Sequence, residues 1–360
     1  MGSRRAAEDG EQMKILHMAD VHLGCVPDGR SEWAQMRARE LWETFRESIA
    51  DADSQKVDLV LIAGDLFHAT PTEAELREVN YVLGSYPDVC FALIAGNHDC
   101  CRPGSAWQDF PFAQNVAFLG GNSPECIRFH SLGCEVYGFS YDRPQITEPL
   151  YDRIRPADND LFHILLAHGG DPEHIPFTAA SMEASGFDYI ALGHIHKPSV
   201  VVPDKALYPG ALSPIDAGDE GPHGYLIGET VGRTAVMKFV KKAPREYVSL
   251  EVTCDTDDTV FSMRDKVEAA IDRRGRANLY RVTLSGQRNP AVRFDEDLIL
   301  RCGMVLEVTD RTAPAFHLEE LKARYRGQLI GRYIESFEGH ERSLTEEKAL
   351  QYGLEALLHG

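Results

Sequence analysis

Apolar residues recur along the first two hundred positions of this chain in short continuous runs, separated by stretches of helical spacing. "KILHMAD" (14–20), "DLVLIAGD" (58–65) and "CFALIAG" (90–96) read as buried strands. Residues 32–50 and 72–83 between them read as helices. This βαβαβ order predicts an α/β sheet flanked by helices. Farther on, "CIRFHSLGCEVYGFS" (126–140) is expected to form a hairpin around a glycine turn. "FHILLAHG" (162–169) and "DYIALGH" (188–194) read as two more buried strands, with a helical segment near 179–185 between them. Strand-like runs over 199–241, broken by Gly and Pro turns, predict a second sheet packed on the first.

"KKAPRE" (241–246) reads as a linker. Beyond it, "YVSLEVTC" predicts a strand, residues 259–273 a helix and "NLYRVTLSG" a strand. "FDEDLILRCG" and "MVLEVTD" complete a small α+β unit ending near Arg311. Two amphipathic helices are expected to close the chain. Leu321, Tyr325, Leu329 and Tyr333 repeat every four residues in the first. The second opens on a Ser343–Glu346 capping box and carries Leu350, Leu354, Leu357 and Leu358 on one face. Residues 1–12 are polar and patternless and read as a disordered leader or cloning remnant. The expected units are therefore 13–243, 244–312 and 313–360.

Composition narrows the classes of function. A hydrophobic share of 43% over 360 residues supports folded cores in two or three domains. No apolar run has the length of a membrane span, and no signal-peptide pattern is found, so no membrane partner is expected. The eight cysteines are scattered, with no CxxC pair, and fit neither a disulfide framework nor a zinc ribbon. Reduced thiols and a cytoplasmic location are expected. The net charge of −19 argues against a protein that holds nucleic acid by bulk electrostatics. The acidity is uneven, however. Residues 1–240 hold 18 Lys and Arg against 35 Asp and Glu, whereas residues 241–360 hold 19 against 21. Bound cations would cancel part of that negative field.

Five polar motifs stand at the ends of apolar runs: Asp20-Val21-His22, "GDLFH" (64–68), "GNHD" (96–99), His168 in "LLAHG", and "GHIH" (193–196). Ligand sites of open α/β sheets lie beyond the carboxyl ends of the strands, so parallel neighbours would bring all five to one rim. Residues i and i+2 of an extended segment project to one side. Asp20 could thus act with His22, and His194 with His196, while Val21 and Ile195 face the core. The glycines before Asp65, Asn97 and His194 are expected to supply positive φ and close backbone approach. Asp20, His22, Asp65, Asn97, His168, His194 and His196 form a mixed oxygen and nitrogen set. It suits Mn²⁺, Fe²⁺ or Zn²⁺ better than Ca²⁺ or Mg²⁺. Seven donors exceed one tetrahedral ion and suffice for two if a carboxylate bridges. Two divalent ions would outweigh the two carboxylates and attract a hydroxide and an anionic phosphodiester.

In this order, D-x-H, GD, GNHD, H and GHxH, the motifs resemble those of the calcineurin-like metallophosphoesterase superfamily. "ADVHLG", "GDLFH" and "GNHD" resemble more narrowly its DNA-repair nuclease branch. That branch includes the bacterial SbcD nuclease subunit, YhaO-type exonucleases and the Mre nuclease of double-strand-break repair. The resemblance spans about residues 13–226. It implies a four-layer α/β/β/α sandwich with a small α+β capping domain and C-terminal helices. It implies that Asp20, His22, Asp65 and His196 hold one metal, and Asp65, Asn97, His168 and His194 the other, with Asp65 bridging. His98 would stabilise the transition state or protonate the leaving oxygen, and Asp99 would orient His98. His68 would sit at the rim near the nucleic-acid path, unless it is a cap beside a helix. The resemblance further implies Mn²⁺ as the metal, DNA as the substrate, an SMC-like coiled-coil ATPase partner and pairing of two nuclease domains.

Other polar positions have plainer readings. His17 and His163 lie in buried-strand patterns and read as core groups or supports of the ligands; His130 and His174 lack motif context. Cys100-Cys101 reads as packing. Arg273, Arg274, Arg276 and Arg281 read as a solvated helix end or as a phosphate-contacting edge. The final leucine stripe reads as internal packing or as a docking helix. Three functions stay open. The first is a dimetal DNA exonuclease. The second is a phosphatase or small-nucleotide phosphodiesterase on the same site, which the acidity favours and the cap-like unit disfavours. The third is a non-catalytic scaffold for DNA or a partner, which the intact ligand set disfavours.

Overall fold

The computed structural model describes residues 12–359, so the leader expected over 1–12 lies, except for Gln12, outside the described residues. The chain divides into two compact units, Met1–Glu246 and Tyr247–Gly360. The first opens with β1 (Lys14–Met18), α1 (Ala34–Ser54), β2 (Leu59–Ala63), α2 (Glu73–Gly84), β3 (Cys90–Ile94) and β4 (Val116–Phe118). β5 (Glu125–Phe129) and β6 (Cys134–Gly138) pair as the antiparallel hairpin, with Gly133 at φ 61° in the turn. Then come β7 (Phe162–His168), α3 (Ala179–Glu183), β8 (Tyr189–Gly193), β9 (Ser199–Val202), β10 (Ala206–Tyr208), β11 (Gly224–Val231) and β12 (Thr234–Lys241).

Two six-stranded sheets result, ordered β12-β11-β1-β2-β3-β4 and β5-β6-β7-β8-β10-β9. The second sheet begins at Glu125 rather than in the 199–241 stretch that the sequence suggested. β9 and β10 extend its edge, whereas β11 and β12 return to the first sheet, β11 antiparallel to β1. Apolar periodicity reports that a strand is buried but not which strand it pairs with. β11 and β12 approach closely at Gly228, where a Cβ would lie 1.9 Å from the Val236 carbonyl oxygen and force the strands to shift.

Strands buried on both faces read as continuous apolar runs. Leu16, Met18, Val60, Ile62 and Phe91 pack with Phe45 and Ile49 of α1 and Leu76 and Val79 of α2. The alternate residues Ile15, Leu59, Leu61, Ala92 and Ile94 pack against Val136, Ile164, Leu166 and Ala191 of the second sheet. On that sheet's far face, Leu165, Ala167, Ile190 and Leu192 are covered by Met182 of α3, Tyr151 and Phe187. The layers are thus α/β/β/α, with a thin outer layer, since α3 has only five residues.

In the second unit, β13 (Tyr247–Cys254), α4 (Val260–Arg274), β14 (Leu279–Arg288), α5 (Glu296–Leu300) and β15 (Val305–Asp310) form a parallel β13-β14-β15 sheet. Met263, Val267 and Ile271 of α4 pack on it, and β16 (Ala313–Pro314) pairs with β14. The first expected C-terminal helix is broken in two, α6 (Leu318–Arg324) and α7 (Leu329–Glu335), around Gly327 at φ 75°. The break turns Leu329 outward, 68% exposed, and Ile330 and Ile334 take the inward places. They pack with Leu350 and Leu354 of α8 (Leu344–His359), which starts at the Ser343–Glu346 capping box.

His17 is a polar side chain that crosses between the two sheets of the first unit. His17 on β1 is fully buried between the Leu192 carbonyl (3.1 Å from Nε2) and the Tyr189 hydroxyl (2.8 Å from Nδ1), both on β8. A carbonyl only accepts, so Nε2–H donates to it and Nδ1 accepts from the tyrosine. Burial pushes the His17 pKa down to about 3, against the Leu192 carbonyl, which favours the charged ring. The unfolded chain therefore takes up a proton near pH 6.5 that the folded chain refuses. This contribution to stability is present above about pH 6.5 and is lost as pH falls toward about 3. His17→Gln should flatten that part of the stability–pH curve. Urea denaturation of both proteins across this range checks it, and an unchanged slope would mean that His17 is not a neutral bridge.

Candidate metal centre

The five motifs meet at the carboxyl ends of β1, β2 and β3 of one sheet and of β7 and β8 of the other. The rim is therefore the seam between two sheets and not the edge of one. The loops after β1 and β2 run side by side: Val21 and His22 N–H both donate to the Asp65 carbonyl (2.9 and 3.0 Å), and Asp20 N–H to that of Gly64 (3.1 Å). Asp20, His22 and Asp65 have φ of 50°, 51° and 49°, and His194 has 98°. The tips are thus not extended, as the i, i+2 argument supposed; left-handed turns aim these side chains instead. Such backbone costs on the order of 1–3 kcal/mol per residue and persists only where the surroundings enforce it. Of the three preceding glycines, Gly64 has positive φ, at 86°. Gly96 and Gly193 serve close approach. A Cβ on Gly96 would lie 2.3 Å from Asp65 Oδ1, and one on Gly193 1.9 Å from the Ala63 carbonyl and 2.9 Å from His168 Nδ1.

Asp65 Oδ2 lies 3.4 Å from His168 Nε2 and 4.0 Å from His22 Nε2. His22 Nε2 is 3.1 Å from His196 Nε2. Asn97 Oδ1 is 2.8 Å from His168 Nε2 and 3.1 Å from His194 Nδ1. The Asp20 carboxylate accepts from the His194 backbone N–H at 2.9 Å and groups with Asp65 and His168, and with His22 and His196. Asp65 thus links a His22–His196 group to an Asn97–His168–His194 group. Two imidazole nitrogens facing each other at 3.1 Å need a proton or a cation between them, and the buried Nδ1 of His22 has no hydrogen-bond partner among the described residues. This donor set fits divalent transition ions.

The electrostatics point the same way. Burial pushes Asp20 up to about 6, and it opposes ionisation of Asp65 too, but the His168 ring holds Asp65 well below the usual carboxylate range. His168 resists desolvation and is raised to about 9 by Asp65. Burial opposes the charge of His196 as well, but Asp219 and Asp20 lift it to about 9. Burial lowers His22 to about 3, and burial with the neighbouring His168 lowers His194 to about 4. Two buried carboxylates therefore draw positive charge into the site, and protons on imidazoles supply it where no cation does.

His98 and His68 stand exposed at the lip, their rings stacked at 5.3 Å and 26°. His98 N–H donates to Asp65 Oδ1 at 2.9 Å, and its ring meets that of His22 edge-on at 5.0 Å. The resemblance implied that Asp99 orients the His98 ring, but its carboxylate makes no hydrogen bond to that ring. Its buried carboxylate turns back to accept from Gly96 N–H (2.7 Å) and Phe67 N–H (3.1 Å), which ties the loop after β3 to the loop after β2. It holds His98 through the backbone, because the chain reverses within the motif. Burial and the Asp65 charge push Asp99 up to about 7. Two carboxylates escaped the sequence reading: Asp171, 2.7 Å from His194 Nε2, and Asp219, 3.0 Å from His196 Nδ1. "HGGD" directly after β7 was the available signal for Asp171; nothing in the spacing marks Asp219.

This fold and donor set define a metal-dependent phosphoesterase. The family model described as "Calcineurin-like phosphoesterase" matches residues 13–198, a stretch that holds all seven donors, and the chain belongs to that family. It is similar to the uncharacterized metallophosphoesterase YhaO of Bacillus subtilis, with 28% identity over 297 residues, 76% of this chain and 72% of that protein. It is also similar to the DNA double-strand break repair protein Mre11 of Haloferax volcanii, with 26% identity over 71% of this chain and 58% of that protein. Mre11 of Aeropyrum pernix is 26% identical over 69% of this chain and 66% of that protein. The chain thus spans less than two thirds of the length of these two Mre11 proteins.

At neutral pH, His168 and His196 carry protons that a divalent ion must displace. Loading with a divalent transition ion should therefore release protons, and binding should tighten as pH rises toward about 9. Calorimetry in buffers of different ionisation enthalpy checks this; a binding heat independent of buffer would contradict it.

Proposed function

We propose that this chain is a dimetal-dependent DNA exonuclease that hydrolyses phosphodiester bonds in DNA repair. The observation that carries the reading is an exposed imidazole, His98, anchored by its backbone N–H to the carboxylate at the centre of a seven-donor cluster. In this reading Asp20, His22, Asp65 and His196 hold one divalent ion, and Asp65, Asn97, His168 and His194 the other. Mn²⁺ is the first choice, with Fe²⁺ or Zn²⁺ as alternatives. When bound, the ion pair neutralises phosphate charge and activates a water for attack on phosphorus. As the new P–O bond forms and the ester P–O bond breaks, the His98 ring donates a proton to the leaving oxygen or a hydrogen bond to the phosphate. His68, stacked on His98, limits the tilt of that ring.

The repair reading is supported by relatives named as DNA double-strand break repair proteins. The near-balanced charge of residues 241–360 and the exposed Arg273 and Arg274 support nucleic-acid contact by a cap over 244–312. Leu329, Leu344 and Tyr352 are 68%, 79% and 70% exposed, which supports docking of an SMC-like coiled-coil ATPase by the helices over 313–360. A homodimer and a cytoplasmic location belong to the same reading; among the described residues no helix is long and apolar enough to cross a membrane. One observation favours a second reading, a phosphatase or small-nucleotide phosphodiesterase: the acidity of residues 1–240.

The test is cleavage of end-labelled duplex and single-stranded DNA in Mn²⁺, beside a cyclic nucleotide, by wild type and His98→Ala. The expected result is stepwise shortening from an end. His98→Ala should lower turnover by about 100- to 10,000-fold while metal content stays at the wild-type level. Cleavage of the cyclic nucleotide alone would favour the second reading, and loss of metal with activity would make His98 a support of the metal cluster rather than a proton donor.

A further inference from the structure

Two carboxylates outside the donor set reach the "GHIH" histidines from behind, and they do so on different ring nitrogens. Asp171 Oδ2 lies 2.7 Å from Nε2 of His194, whereas Asp219 Oδ1 and Oδ2 lie 3.0 and 3.2 Å from Nδ1 of His196. An ionised carboxylate only accepts, so each contacted nitrogen carries a proton, and a metal would be reached through the opposite nitrogen once any proton there is displaced. That opposite nitrogen faces the cluster in both rings: His194 Nδ1 is 3.1 Å from Asn97 Oδ1, and His196 Nε2 is 3.1 Å from His22 Nε2.

We propose that Asp171 and Asp219 are positioning residues that commit the two histidines to opposite ring nitrogens, Nδ1 of His194 and Nε2 of His196, as metal donors. The inference deepens the dimetal reading above and rests on it. Both carboxylates are themselves fixed. Asp171 Oδ1 accepts from the backbone N–H of Glu173 (2.8 Å) and His174 (3.0 Å), and the His174 Nδ1 lies 2.9 Å from Oδ1 and 3.0 Å from Oδ2. The His174 ring then packs on that of His194 with centroids 4.3 Å apart. Asp219 Oδ2 accepts from Ile215 N–H at 2.9 Å. Flipping either ligand ring by half a turn would break a charge-assisted hydrogen bond and turn a proton toward the cluster.

The choice of partner follows exposure. His168 is fully buried, and its Nδ1 is held by a neutral acceptor, the Ala63 carbonyl at 2.8 Å. His194 and His196 are only partly buried, and each has a carboxylate on its outer nitrogen. A carboxylate holds an imidazole N–H more strongly than a carbonyl does, and it raises the basicity of the ligating nitrogen.

The experiment loads the full chain, with ¹⁵N-labelled histidine, with Zn²⁺ as a diamagnetic probe, and reads the ring nitrogens by long-range ¹H–¹⁵N NMR. The expected result is N–H at Nε2 and metal at Nδ1 for His194, and the reverse for His196. Metal on the same type of nitrogen in both rings would overturn the inference. Asp171→Ala and Asp219→Ala should each weaken Zn²⁺ binding by about 10- to 100-fold in competition with a chelator. Asp171→Asn and Asp219→Asn keep an acceptor oxygen and should recover much of that loss. Wild-type affinity in both alanine variants would overturn the inference while leaving the dimetal reading standing. A wild-type protein that takes up neither Zn²⁺ nor Mn²⁺ would overturn the dimetal reading and this inference together. The nitrogen assignment is made on the wild type, so it stands even where a variant fails to fold.

Discussion

Two carboxylates, Asp20 and Asp65, are buried to 0% and 1% exposure where two β-sheets meet. Ionised groups removed from water require compensating positive charge, and the surrounding structure is arranged to provide it. Four imidazoles and one amide converge on them, and the loops that carry the two aspartates are hydrogen-bonded side by side. The left-handed backbone at Asp20, His22, Asp65 and His194 is kept because the cluster and the loops enforce it together. Gly64, Gly96 and Gly193 all stand where a methyl group would strike the His168 ring, so the absence of side chains there is as much a part of the site as the donors are.

The two-sheet frame explains why such a site is precise. Each donor sits at or just beyond the end of a strand whose two faces are buried, so its backbone has little freedom. The frame also carries its own polar bridge, His17 to Tyr189 and Leu192, which links the strand leading to Asp20 with the strand leading to His194. Toward solvent the rules change. His98 and His68 are exposed, held by stacking, by the His98 N–H to Asp65, by His98 Nδ1 to the His68 carbonyl and by the His68 N–H to the Leu23 carbonyl. A buried cluster of carboxylates and imidazoles thus grades into accessible imidazoles at the lip.

Much of the site was legible because its chemistry is local. Asp20, His22, Asp65, Asn97, His168, His194 and His196 each follow an apolar run within a few residues, and strand ends are where α/β sheets place ligands. The reading was weaker where partners are distant in sequence or where the chain turns back. Asp99 stands next to His98 yet grips Gly96 and Phe67, because the motif folds on itself. Asp219 meets His196 from a loop 23 residues farther along, with no periodicity to announce it. The four-residue repeat through Leu321 and Leu329 read as one helix, but Gly327 breaks it and turns Leu329 to solvent.

The amino-acid sequence by itself determined the buried strands, the order of the α/β opening, and the chain order of the polar strand-end motifs that the fold brings together. Apolar runs and strand-end motifs are properties of contiguous residues. Only the tertiary structure decided that the rim is a seam between two sheets, that β11 and β12 belong to the first of them, and which ring nitrogen each histidine turns inward. Those choices rest on hydrogen bonds and close contacts between residues as far apart as His22 and His196, and no local pattern encodes such a contact.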